Sequence, residues 1–291
     1  MVQSPTENSG GQVVAADHYT VARRSYLTKA IGILARIRDY SRELGLFTGL
    51  RWYFAKIVTR LPLGISRRVN VKPPGLAHPV AVRMYPSSDD FVFDQLFVDH
   101  EYAPVCRRLK DVKVILDFGA NTGLASAIFA SRFPSARILA VEPDPGNYKV
   151  CLQNLAPYGN RIKVVLGAVW GRTARLALKR GNQCDGREWA TQVSEAEQGS
   201  EPEVQAWDVP SLLDMISAGE ADLIKMDIEG SEAEVFAENP GRWLTRVRNL
   251  CVELHDDRCR EIFFRAVSGF DYETEEHGEY TFCFGLRPAM R

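Results

Sequence analysis

The sequence predicts an α/β fold in which a parallel sheet carries helices on both faces. Three observations lead there. From Val112 onward, strand-like apolar runs alternate with helix-like segments, the pattern of successive strand-helix-strand units. The stretch "KVILDFGANTGLASAIFA", Lys113 to Ala130, is an apolar run that turns through Gly119 and Gly123 and leaves as a helix. The composition, 45% hydrophobic and 25% charged over 291 residues with a net charge of -1, can bury one sizeable core plus an appendage.

The elements follow in order. Strands are expected at Val114 to Phe118, Arg137 to Val141, Ile162 to Leu166, Leu223 to Asp227 and Leu250 to Leu254. Helices are expected near Leu124 to Phe133, Gly146 to Leu155, Val209 to Ala218, Ser231 to Glu238 and Arg258 to Val267. Two further runs, Phe270 to Thr274 and Tyr280 to Gly285, are close enough to pair antiparallel at a sheet edge. The polar stretch "REWATQVSEAEQGSEPE", Arg187 to Glu203, is expected to be an exposed insertion.

Ahead of this domain, taken as residues 111 to 291, lie three segments. Residues 1 to 18 are polar and rich in Gly, Ser and Thr, as a disordered tail is. Residues 19 to 68 form a basic helical segment. From Val21 to Lys72 the chain carries twelve Lys and Arg against Asp39 and Glu43, and apolar residues recur at near-helical spacing, with a break between Gly45 and Gly49. Such helices either rest on an anionic membrane surface, with Trp52 and Phe54 inserted, or pack their apolar stripe on a core, the commoner fate. Residues 69 to 110 hold a hairpin, Val69 to Lys72 with Val80 to Tyr85 around a Pro-Pro-Gly turn, and a lead-in helix in "DDFVFDQLFVDHEY".

Several function classes are disfavoured. No apolar run approaches the roughly 18 residues of a membrane span, and no signal peptide opens the chain, so a cytoplasmic location is expected, with peripheral contact at the inner membrane face if the basic helices bind lipid. The six cysteines form no C-x-x-C pair and suggest neither zinc nor disulfides. A nicotinamide site would carry G-x-G-x-x-G at the first turn to cradle a pyrophosphate. This turn reads Asp117-x-Gly119-x-x-x-Gly123, and a carboxylate there repels phosphate but attracts an ammonium group. S-adenosylmethionine carries an ammonium and a sulfonium and no phosphate. Gly119 is expected to let the backbone approach it, and Gly123 to permit the tight entry to the helix. Glu142, 25 positions on at the end of the second strand, is placed to accept from the ribose hydroxyls.

The segments "LDFGANTGLASAIFA", "AVEPDPGNYKVCLQNL", "LIKMDIEGSEAEVF" and "CVELH" resemble the successive motifs of the FkbM-type S-adenosylmethionine-dependent methyltransferases, with "KMDIEGSE" the most specific. The resemblance covers about Val80 to His255. It implies a class I methyltransferase fold, a seven-stranded sheet with its last strand antiparallel, and methyl transfer to a hydroxyl oxygen of a sugar, glycolipid or secondary metabolite. It also implies Asp117, Gly119, Asn121 and Glu142 as cofactor-site residues and Asp227, Glu229 and Glu232 as the family's acidic signature.

Transfer to an alcohol needs a base near the hydroxyl. Asp227 and Glu229 end the fourth strand, and Glu253 and His255 the fifth. His255, whose ordinary pKa lies near neutrality, is the expected base, unless it only caps the next helix with Asp256. Asp227 is the alternative, accepting from the substrate hydroxyl or from the cofactor ammonium. Glu232 reads as a first-turn helix acid. Magnesium on Asp227, Glu229 and Glu253 is conceivable, but no metal is assigned. The place after the fourth strand reads Asp227-Ile-Glu-Gly and not the Asn/Asp-Pro-Pro-aromatic turn of base methyltransferases, so no nucleic acid is expected. A non-catalytic S-adenosylmethionine-binding protein of the same fold is the other reading. Neither the acceptor nor the oligomeric state is spelled out.

Overall fold

The computed structural model describes residues 32–61, 67–180, 191–195 and 203–290. The expected tail, residues 1 to 18, lies outside the described residues. The chain divides into two units, Met1–Phe54 and Ala55–Arg291.

In the first unit, residues 32–44 form helix α1, and α2 (Leu46–Val58) begins after one residue and runs on into the second unit. The break falls at Gly45, whose φ of +82° suits glycine. Gly49, expected to belong to the break, instead sits inside α2. A Cβ there would lie 2.4 Å from the Tyr40 carbonyl oxygen, so the glycine lets the two helices pass backbone to backbone. Trp52 is 1% exposed and does not present itself to a surface, whereas Phe54 is 57% exposed.

The second unit opens with the antiparallel hairpin β1 (Arg68–Val71) and β2 (Val80–Arg83), followed by α3 (Asp89–Phe97) and α4 (Ala103–Arg108). Lys56 lies 2.5 Å from Asp94 and 3.2 Å from Asp90, and Arg60 3.1 Å from Asp90, so two of the basic residues answer acids of α3.

The main sheet begins at β3 (Val114–Phe118), buried along its whole length, and continues through α5 (Leu124–Arg132), β4 (Arg137–Glu142), α6 (Pro145–Leu155) and β5 (Ile162–Leu166). After an excursion described below come α7 (Val209–Met215), β10 (Leu223–Met226), α8 (Glu232–Ala237), α9 (Gly241–Leu244), β11 (Asn249–Glu253), α10 (Asp257–Val267), β12 (Phe270–His277) and β13 (Tyr280–Pro288). The strand order is β12-β13-β11-β10-β3-β4-β5. β13 runs antiparallel to both its neighbours, and the pairs among β11, β10, β3, β4 and β5 are parallel. One core cluster binds β3, β4, β10 and β11 to α7, α8 and α10 through Leu116, Phe118, Leu139, Met226, Phe236, Val252 and Phe263.

The excursion gives part of the expected polar insertion strand structure. β6 (Ala168–Val169), β7 (Ala174–Arg180), β8 (Thr191–Glu195) and β9 (Glu203–Trp207) form a second sheet ordered β6-β9-β7-β8. Thr191–Glu195 and Glu203 of the supposed loop are strand residues. Its residues 187–190 and 196–202 lie outside the described residues. The reason is a small core of Ala168, Trp170, Leu176, Val204 and Ala206, joined by Val193. Val193 and Val204 sit singly between polar residues, as on a sheet with one buried face. Among the described residues no helix is long and apolar enough to cross a membrane.

Candidate active site

A cavity of about 240 Å³ opens at the carboxyl ends of β3, β4, β10 and β11, where open α/β sheets bind their ligands. Six lining residues carry carboxylates, Glu101, Glu142, Asp227, Glu229, Glu253 and Glu279, against two basic ones, Lys225 and His255. That balance repels phosphate and attracts cations.

One half is built on β3 and β4. Glu142, the last residue of β4, is 4% exposed. Its Oε2 accepts from the Asn121 amide at 2.8 Å and its Oε1 from the Asp144 amide at 2.9 Å. Burial pushes its carboxyl up to about 7 against those hydrogen bonds. The helix cap is Asp144 instead, accepting from Gly146 and Asn147 at the start of α6, which leaves Glu142 to the cavity. Asn121, with φ of +49°, also lines it, and its Oδ1 is buried without a hydrogen-bond partner.

Asp117 is not where the sequence placed it. It is 0% exposed and does not line the cavity. Its Oδ2 accepts from Ser126 at 2.6 Å, and its Oδ1 lies 3.5 Å from Lys225 Nζ. The cause is register, since Lys225 on β10 is the direct neighbour of Asp117 on β3. The two glycines lie at the turn that opens α5, Gly119 on the cavity wall and Gly123 at the helix N-cap. A Cβ on Gly119 would lie 1.7 Å from the Asp227 carbonyl oxygen, so the close packing of the two strand ends also requires glycine there. Gly123, at φ +80°, leads into α5, and a Cβ there would meet Cys151 and Leu155 of α6 at 3.0 and 3.1 Å.

The other half gathers after β10 and β11. Lys225, 2% exposed, donates to the Gly119 carbonyl at 2.8 Å and lies 3.5 Å from both Asp117 and Asp227. Burial works to lower its pKa, but Asp227 and Asp117 outweigh it and hold the ammonium charged. Asp227 Oδ2 accepts from the Tyr280 hydroxyl at 2.9 Å, which is 3.0 Å from the Tyr102 hydroxyl. Glu232, fully buried at the first position of α8, accepts from the Ile228 and Gly230 amides at 2.8 and 2.9 Å and fixes the turn that presents Glu229. Its role is thus to tie this loop, beyond the dipole effect expected of a first-turn acid.

His255 is the centre of this half and also a correction. Its Nδ1 lies 3.3 Å from Glu232, and its Nε2 lies 3.5 Å from Glu253, 3.6 Å from Glu229 and 3.7 Å from Asp227. Burial opposes charge on the ring, but the hydrogen bond to Glu232 and the surrounding carboxylates outweigh it and raise its pKa to about 10. These neighbours favour the charged ring, which works against its taking a proton. It is not a cap either, because Asp256 alone accepts from Cys259 at the start of α10. Burial first, and the neighbouring Asp227 second, push the carboxyls of Glu229 and Glu253 up to about 7 and about 9. Asp227, Glu229 and His255 also bring one donor atom each within 4.8 Å, close enough to share a divalent ion if the imidazole gave up its proton.

Sequence reasoning missed Lys225, Tyr102, Tyr280, Glu101 and Glu279 as cavity residues. Only Lys225 left a signal, a lone Lys inside the apolar run "LIKMD".

The sheet order, its antiparallel β13 and the cavity at the strand ends define a class I methyltransferase fold. The chain belongs to the FkbM methyltransferase domain family, which it matches over residues 117–279. It is 29% identical over 161 residues to 2-O-methyltransferase NoeI of Sinorhizobium fredii, covering 51% of this chain and 65% of that protein. It is 41% identical over 66 residues to the methyltransferase sdnD of Sordaria araneosa, covering 23% and 25% of the two chains. The chain therefore spans less than two thirds of either relative's length. Among solved structures, the FkbM methyltransferase of Methylobacillus flagellatus is 17% identical, with a TM-score of 0.43 over 61% of this chain and 44% of that one.

Proposed function

We propose that the protein transfers the methyl group of S-adenosylmethionine to a hydroxyl oxygen of a sugar, glycolipid or secondary metabolite. The observation that carries this reading is the cavity itself, with an acid-flanked nucleoside half beside a cluster of carboxylates around one imidazolium. The residues fit the cofactor. Glu142 presents an acceptor for ribose hydroxyls, Asn121 Oδ1 has an unmet need for a donor, and Asp227 offers a carboxylate to an ammonium. When bound, S-adenosylmethionine supplies an electrophilic methyl group on a sulfonium.

The chain's own part is to orient the acceptor and take its proton. Asp227 is already engaged by Tyr280 and faces Lys225. Glu229 faces His255 and lines the cavity, so its Oε2 is the atom placed to receive a hydroxyl proton. His255, held by Glu232, keeps the surrounding carboxylates at fixed positions, an orienting task in place of the base role read from sequence.

The test is cofactor binding. Glu142→Ala removes a charged acceptor worth roughly 1.5 to 3 kcal/mol, so calorimetry should show S-adenosylmethionine binding weakened by about one to two orders of magnitude. A thermal melt confirms that the variant folds. Unchanged affinity rejects the ribose assignment, and wild-type protein that binds the cofactor but labels no acceptor in extracted glycans, lipids and metabolites supports the non-catalytic reading.

A further inference from the structure

We infer that α2 docks the protein on an anionic membrane surface through a face that the fold leaves uncovered. The helix has two apolar sides. One carries Gly49 and Trp52 and is buried. The other carries Phe47, Leu50, Phe54 and Ile57, and Leu61 continues it just beyond the helix. These residues recur at intervals of three and four, which stacks them along one stripe. Phe47 is 86% exposed, Phe54 57%, Leu61 48% and Ile57 42%. An apolar stripe with two phenylalanines is what an interfacial helix buries in the headgroup boundary.

Charge selects the occupant. Arg51 flanks the stripe and is exposed, whereas Arg60 further on is already paired with Asp90. From Leu44 to Ser88 the sequence contains no Asp or Glu at all, against seven Lys and Arg. Spacing of three and four also suits a helix pair, so a second copy of the chain is the rival. In such a pair the positions beside the stripe would carry complementary charges. Here they are Leu46, Arg51, Tyr53, Val58 and Arg60, so the stripe of a second copy brings no acid to meet Arg51. A bilayer containing anionic lipid meets both the stripe and Arg51. Trp52, taken from sequence as an inserting residue, has no part in this, and Phe47 takes its place.

The test is vesicle sedimentation of the full chain. One set of vesicles is phosphatidylcholine alone, and the other is phosphatidylcholine mixed with phosphatidylserine. Binding is expected on the mixed vesicles at low salt, and it should fall as salt screens Arg51 but leave a residue held by the phenylalanines. Phe47→Ser with Phe54→Ser should weaken it roughly a hundredfold, and Arg51→Gln alone about fivefold. Both changes are at exposed positions, and thermal melts verify folding. Wild-type protein that stays in the supernatant of mixed vesicles at low salt overturns the inference. So does binding that the double substitution leaves unchanged. A concentration-dependent dimer that the same substitution dissociates, without vesicle binding, gives the face to a second copy.

Discussion

Glu229→Gln is expected to slow methyl transfer by about two to four orders of magnitude, the range for losing a positioned general base, while S-adenosylmethionine binding changes little. The glutamine keeps the shape of the side chain and its place opposite His255, but it can no longer take a proton. Calorimetry for cofactor affinity and single-turnover transfer to the labelled acceptor separate the two effects. Asp227→Asn serves as the comparison. Its carboxylate is engaged by Tyr280 and lies beside Lys225, so its loss should disturb cofactor affinity as well as rate. If Glu229→Gln turns over like wild type while Asp227→Asn is dead, the proton acceptor is Asp227 and Glu229 is a wall residue.

Gly119→Ala should cost the fold more than any other single methyl group added at the site. The new Cβ would lie 1.7 Å from the Asp227 carbonyl oxygen and 2.9 Å from its carbon, and neither can move without shifting β10 against β3. The left-handed backbone, φ +73°, adds its own penalty. Overpacking costs about 1 to 3 kcal/mol or more and the strained backbone about 1 to 3, so a loss of roughly 2 to 6 kcal/mol is expected. Gly75→Ala is the control, because its φ of +87° imposes the same kind of strain with nothing within 4 Å. Chemical denaturation of both variants isolates the close approach as the difference. Equal losses would show that β10 yields, and the rigid seam between the two strands would have to be abandoned.

The sheet was largely legible because its strands are bounded by turns and nearly wholly apolar, so period and length agreed. The predicted Val114 to Phe118 and Ile162 to Leu166 coincide with β3 and β5. Glu142 was legible because strand ends in this architecture face the ligand. Asp117 obeyed the same rule in sequence but not in space. What separates them is a residue on another strand, since Lys225 reaches Asp117 only when β10 lies beside β3. His255 was misjudged for a similar reason, as Glu229, Glu232 and Glu253 gather round it from two strand ends and a helix start. The second sheet was hidden because alternation between charges reads as a polar loop until Trp170 and Val204 are seen to share one core.

The site is assembled from the chain in a fixed order. Asn121 and Glu142, which flank the nucleoside half, lie more than eighty residues before Lys225, Asp227 and Glu229, and Tyr280 comes after all of them. Tyr280 sits on β13, which pairs between β11 and β12. A chain emerging from the ribosome thus presents β3, β4 and β5 before the strands that carry the other half of the cavity. Until β13 docks, the edge of β11 stays open and Asp227 lacks its tyrosine. In chain order, the residues lining the β3–β4 half of the cavity therefore precede those lining the β10–β11 half, and the strand that closes the set comes last.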